Sequence, residues 1–286
     1  MSASAFAKGG KHKPPHAIKK AAPSHAPAKP ATPRALAPPE LLFTFDDGPD
    51  LTKTPRVLDA LEKHHIHAVF FVNGVHFMGT RPNAEKAREL LREEIRRGHY
   101  VGNHTVHHLF LCGIRGPKVG ELEITQNADL IEQATGVRPE LFRTPYGSHC
   151  PSLSATLAKL GIKHTGWDID PQDWKVKNTV IVRDFIIGEL KKLHGRAILL
   201  MHDIHDDTVE ALPQILDWLD KENAERARTG GQVIKVLDYT VLLPPRPAWP
   251  PLLDGIGRLL IDAAPLVGRV IDRAVAWLAA AAATRA

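Results

Sequence analysis

Five short polar clusters between positions 44 and 202 carry the groups that hydrolytic chemistry needs. They are Thr44-Phe-Asp-Asp-Gly-Pro49, His104-Thr-Val-His-His108, Arg143-Thr-Pro-Tyr146, Asp170-Pro-Gln-Asp-Trp174 and Leu200-Met-His202. Asp47, His104 and His108 supply one carboxylate and two imidazoles, enough protein ligands for a divalent cation that keeps a corner open to water. Such a donor set takes Zn²⁺ first, and also Co²⁺ or Ni²⁺. The inventory is that of metal-assisted hydrolysis of an amide or ester.

The remaining groups divide the proton work. Adjacent strand residues point to opposite faces, and a turn begun by Gly48-Pro49 re-aims them, so Asp46 is free to act as a base while Asp47 ligates. Arg143 is placed to orient Asp46 and keep it ionised. His202, paired with a buried carboxylate such as Asp173, is raised toward its protonated form and is the candidate general acid. The backbone N–H of Tyr146, on a turn that Pro145 and Gly147 enforce, is aimed at an oxyanion. A helical turn over 104–108 brings His104 and His108 to one side, with His107 a bystander. Singly, each has a structural alternative: Arg143 and Asp173 can be an ordinary ion pair, and Trp174 and Leu200 can be core. The argument lies in their joint occurrence, in order, at the ends of apolar runs.

Those runs define the elements that must hold the groups. Strands are expected at 41–46, 67–73, 99–104, 141–144, 163–169, 196–202 and 232–238, with helices at 55–64, 84–97, 117–134, 152–160, 179–193 and 208–227. Thr54 reads as an N-cap with Pro55 in the first turn, and Gly136 as a helix stop. Regular alternation makes this an α/β protein with a parallel sheet, closed or nearly closed into a barrel whose strand ends carry the clusters.

Composition bounds the rest. The chain has 286 residues and a net charge of +5, inflated by an Ala-, Pro-, Lys- and His-rich stretch over 1–39 that reads as a disordered tail. No nucleic-acid footprint on the folded part follows from that charge. The tail is either a solvated linker or leader, or an electrostatic contact to an anionic wall or membrane. Residues 244–286 form a proline-rich linker and an amphipathic helical extension, whose mixed-sign polar face favours packing over a membrane surface. No signal peptide and no stretch long enough to span a bilayer is visible. Cys112 and Cys150, the two cysteines, each closely follow a cluster, so they form either a rim disulfide or two inert thiols.

In these five clusters the chain resembles the carbohydrate esterase family 4 polysaccharide deacetylases, with their NodB homology domain. Phe45–Pro49, His104–His108, Arg143–Tyr146, Asp170–Trp174 and Leu200–His202 match the family's five motifs in order, over about 41–243. The resemblance implies a distorted (β/α)7 barrel, a catalytic domain over 40–243, and metal-dependent removal of N-acetyl groups from an N-acetylglucosamine polysaccharide. In the family pattern Asp46 is the base, Asp47, His104 and His108 are the ligands, and His202 is the acid assisted by Asp173. Arg143 positions Asp46, while Leu200 and Trp174 line the slot for the acetyl methyl. Family members acting on N-acetylmuramic acid typically depart at the positions of Asp47 and Tyr146, so their retention favours N-acetylglucosamine. Peptidoglycan is the first expected substrate, which implies a periplasmic or cell-wall location. Chitin or a chitooligosaccharide is the alternative, and a catalytically silent glycan-binding module is a third reading.

Overall fold

A strand that is apolar on both faces belongs inside a parallel sheet covered by helices, and β1 (Glu40–Asp46) is such a strand, buried at every position after its first residue. The computed structural model describes residues 37–113 and 116–243. The tail expected over 1–39 (apart from its last three residues) and the linker and helical extension expected over 244–286 lie outside the described residues. Among the described residues no helix is long and apolar enough to cross a membrane.

Among the described residues six helices alternate with seven strands: α1 (Thr54–Lys63), β2 (Val69–Val72), α2 (Pro82–Arg96), β3 (Tyr100–Asn103), α3 (Gly116–Thr135), β4 (Leu141–Phe142), α4 (Pro151–Leu160), β5 (Lys163–His164), α5 (Thr179–Lys192), β6 (Arg196–His202), α6 (Asp206–Thr229) and β7 (Lys235–Val236). All pairings are parallel, in the order β5-β4-β3-β2-β1-β6, with β7 beside the start of β1. The sheet curls, because the segment after β5 reaches β6 through a bridge between Ile169 and Leu199. The expected α/β barrel-like architecture is therefore present, in distorted form.

Alternation along β1 sorts its side chains. Leu41, Phe43 and Phe45 pack outward into the main apolar cluster with Val57, Leu58 and Ile215 from the helices. Leu42 faces the interior with Val69, Phe71, Tyr100 and Leu141. On that same inner face follow Thr44 and Asp46, so the lumen is apolar at the start of the strands and polar at their carboxyl ends.

Two expectations change. Strands expected at 141–144, 163–169 and 232–238 shorten to two residues each. Thr54 is the first helical residue rather than the cap. Lys53 takes the cap position, and Thr54 Oγ1 accepts from the Asp50 amide at 2.9 Å and donates to the buried Asp203 carboxylate. Asp203, just past the last of the five clusters, is fully buried. Gly136 does follow α3, at φ 76°.

Candidate active site

The five clusters meet at the carboxyl ends of the strands. β1 delivers Asp46 as its last residue, and Asp47 leaves it with φ 75° before the cis Gly48–Pro49 bond. The left-handed conformation, uncommon for a residue with a Cβ, recurs at Thr105, His108, Tyr146 and Gln172. Such positions cost of order 1–3 kcal/mol each and persist where the surroundings over-determine them.

His104 and His108 converge, but not through a helical turn. Thr105 at φ 72° reverses the chain, the His108 amide donates to Thr105 Oγ1 at 3.0 Å, and the two rings lie 5.0 Å apart. Asp47 Oδ1 is 3.4 Å from His104 Nε2 and 3.3 Å from His108 Nε2. It is buried and has no hydrogen-bond donor. Donor atoms each about 2.1 Å from a tetrahedral ion are about 3.4 Å apart, so this orphaned oxygen and the two nitrogens fit one divalent cation. His104 Nδ1–H donates to the Arg143 carbonyl at 2.7 Å, which leaves Nε2 as the lone-pair nitrogen. Burial lowers the pKa of His108, favouring the neutral ring a cation needs, though Asp47 pulls the other way. His107 turns away, its amide and Nδ1 both donating to Glu123 at 2.8 Å.

On one flank, Arg143 is fully buried inside the sheet. Its guanidinium donates to Asp46 Oδ1 at 2.8 Å, Thr44 Oγ1 at 2.7 Å, Thr165 O at 3.2 Å and Gly166 O at 2.9 Å, and lies 4.3 Å over the Phe71 ring. Asp46 keeps its second oxygen toward the centre, 3.7 Å from His104 Nε2. Arg143 thus pairs with Asp46 and not with Asp173.

On the other flank stands His202, at the end of β6. Its Nδ1–H donates to Asp173 Oδ1 at 2.7 Å and its amide to Oδ2 at 2.8 Å, where Thr208 Oγ1 also donates. Burial alone would depress this imidazole, but the bond to Asp173, that carboxylate's charge, and then Asp46 and Asp47 push it up to about 9. Its Nε2 faces the centre, 3.9 Å from Asp47 Oδ2. Asp173 is itself held low despite burial by His202 and Thr208.

A cavity of about 450 Å³ opens over these groups, lined also by Tyr146, Trp174 and Leu200. Leu200 is buried, while Tyr146 is 67% and Trp174 51% exposed. Sequence reasoning gave no role to Trp167, Thr144 or Asp170, which line it as well. Trp167 lay inside an expected strand, and its contact is long-range: a Cβ on Gly147 would stand 2.6 Å from its ring. Beside the cavity, Cys112 and Cys150 form a disulfide that ties the loop after His108 to the loop after Tyr146.

A curled parallel sheet with a two-imidazole, one-carboxylate centre between an Asp–Arg pair and a His–Asp pair defines a class of hydrolytic barrel. The chain belongs to the polysaccharide deacetylase family, whose sequence profile matches residues 34–165. It is 31% identical to a chitooligosaccharide deacetylase of Sinorhizobium fredii, over 63% of this chain and 86% of that protein. It is 34% identical to the peptidoglycan-N-acetylmuramic acid deacetylase PdaC of Bacillus subtilis, over 63% of this chain; the match spans only 35% of that relative's length. Among solved structures, a family 4 carbohydrate esterase from Streptomyces lividans in complex with acetate superposes with a TM-score of 0.56 at 30% identity, covering 66% of this chain and 91% of the other.

Proposed function

We propose that this chain is a metal-dependent hydrolase that removes N-acetyl groups from N-acetylglucosamine residues of a polysaccharide, peptidoglycan first, with residues 40–243 as its catalytic domain. The single observation that carries the reading is the convergence of His104 and His108 on the orphaned Asp47 oxygen, with the Asp46–Arg143 pair on one side and the His202–Asp173 pair on the other.

A divalent cation held by Asp47, His104 and His108, Zn²⁺ foremost with Co²⁺ or Ni²⁺ as alternatives, would supply Lewis-acid polarisation of the acetamide carbonyl and of a water. Asp46 takes the proton of the attacking water on its free oxygen, while Arg143 holds the other oxygen. The Tyr146 amide, on its left-handed turn, donates to the developing oxyanion. His202 gives its Nε2 proton to the departing sugar nitrogen, and Asp173 fixes the ring and its charge. The C–N bond breaks, leaving acetate and a free amine. Leu200 and Trp174 enclose the acetyl methyl.

Retention of Asp47 and Tyr146 supports N-acetylglucosamine, whereas the Bacillus subtilis relative's name carries the muramic sugar, so both belong in the test. The Sinorhizobium fredii relative, matched over most of its length, supports chitooligosaccharides as the second substrate class. An extracytoplasmic location, periplasm or cell wall, is supported by the Cys112–Cys150 disulfide, which needs an oxidising compartment. The deciding measurement is acetate release from peptidoglycan and from chitooligosaccharides, with Zn²⁺ or Co²⁺ added and with a chelator. Asp46→Asn should abolish release yet bind metal with unchanged stoichiometry. An active Asp46→Asn enzyme would remove Asp46 as the base, and glycan binding without acetate release would leave a silent binding module.

A further inference from the structure

Residues 109–112 run Leu-Phe-Leu-Cys, and three of the four are packed away. Leu111 is 7% exposed in a cluster with Ile124, Phe142 and Leu157, Leu109 packs against that cluster, and Cys112 is bonded to Cys150. Phe110 alone faces solvent, 52% exposed. Its ring is nonetheless held in place. The Gly113 amide donates to the Phe110 carbonyl at 3.3 Å, and a Cβ on Gly113 would come within 2.8 Å of the Phe110 ring, so the glycine leaves the space the ring occupies.

The position of that ring gives it a use. His108, Tyr146 and Phe110 form an outward series, with ring centroids 4.6 Å and then 6.3 Å apart. Phe110 stands one ring beyond the cavity wall that Tyr146 forms. A single exposed apolar side chain needs no explanation. Two exposed aromatic rings side by side at the mouth of a catalytic cavity, on loops stapled to each other, form a preorganised apolar surface of the kind that marks a ligand groove. Pyranose rings present faces of C–H bonds that stack on aromatic planes, and rigid aromatics supply such area at low entropic cost.

We propose that Phe110 is a sugar-stacking residue that binds the unit next to the one being deacetylated, so that the chain selects oligosaccharides over single sugars and small acetyl compounds. This rests on the polysaccharide reading of the same site and extends it to the adjoining unit.

The test uses the full chain carrying Asp46→Asn, loaded with Zn²⁺, and titrates an N-acetylglucosamine pentasaccharide by calorimetry, with and without Phe110→Ala. We expect the pentasaccharide Kd to weaken about three- to tenfold in Phe110→Ala, the size of one aromatic stacking contact. Phe110→Tyr should restore it, and Leu122→Ala, an exposed apolar truncation on α3, should behave as the parent. With Asp46 restored, Phe110→Ala should raise KM for the pentasaccharide by the same factor and leave kcat within twofold. An unchanged Kd in Phe110→Ala overturns the proposal, as does a parent that binds no pentasaccharide. A Kd shift in Phe110→Ala together with no acetate release from the chain with Asp46 restored keeps the stacking residue and refutes the deacetylase reading instead.

Discussion

Asp173→Asn isolates what the protonated imidazole contributes. The substitution keeps the shape of the side chain and removes the charge that faces His202 Nδ1 at 2.7 Å. The imidazole stands at about 9 against burial that would lower it, with the Asp173 bond and charge as the principal causes and Asp46 and Asp47 adding less. The sign is set by the role: the acid works protonated, so turnover is complete below the His202 pKa and is lost as pH rises through it. At pH 8 a group at about 9 is about nine-tenths protonated, whereas one returned to the ordinary histidine value of ~6.5 is about 3% protonated. Asp173→Asn should therefore cut kcat at pH 8 by about 30-fold and move the basic limb of the kcat profile down by about 2.5 units. The assay is acetate release from a chitooligosaccharide between pH 5 and 10, with metal content measured on each variant. A basic limb that stays in place in Asp173→Asn refutes the assignment of that limb to His202.

Two further outcomes follow from the structure around the site. Thr54 Oγ1 donates to Asp203, a fully buried carboxyl whose pKa burial raises to about 7 and whose other oxygen has no donor; Thr54→Val should lower unfolding stability by about 1–3 kcal/mol in urea titrations. An unchanged midpoint would mean that this bond carries nothing. Reduction of Cys112–Cys150, which closes a loop of sequence separation 38, should destabilise the fold by roughly 2–4 kcal/mol and raise KM by loosening the loops that carry His108 and Tyr146. Equal melting temperatures and equal KM with and without reductant would count against the staple.

Much of the fold was legible because β1 and β6 are continuous apolar runs long enough to be strands buried on both sides. The helices were legible from their period, and each motif was expected where such a run ends. The lengths of the short strands were not. Leu141–Phe142 and Lys163–His164 pair for two residues, after which the Arg143 side chain reaches across to the Thr165 carbonyl, and nothing in local periodicity marks where the pairing ends. The turn at Thr105 and the inward seat of Asp203 depend on neighbours distant in the chain, so helical spacing misjudged how the first is made and no local signal marked the second.

By itself the amino-acid order determined which groups were available for chemistry: two adjacent carboxylates, a pair of imidazoles four apart, an arginine, and a late histidine, each at an apolar run's end. Only the tertiary structure decided between the partners that the sequence left open. It set Arg143 on Asp46 across 97 positions and Asp173 on His202 across 29, joined Cys112 to Cys150, and stood Trp167 and Phe110 at the mouth. The reason is that periodicity reports a residue's face within its own element, while partnership depends on which strand ends the curled sheet brings together.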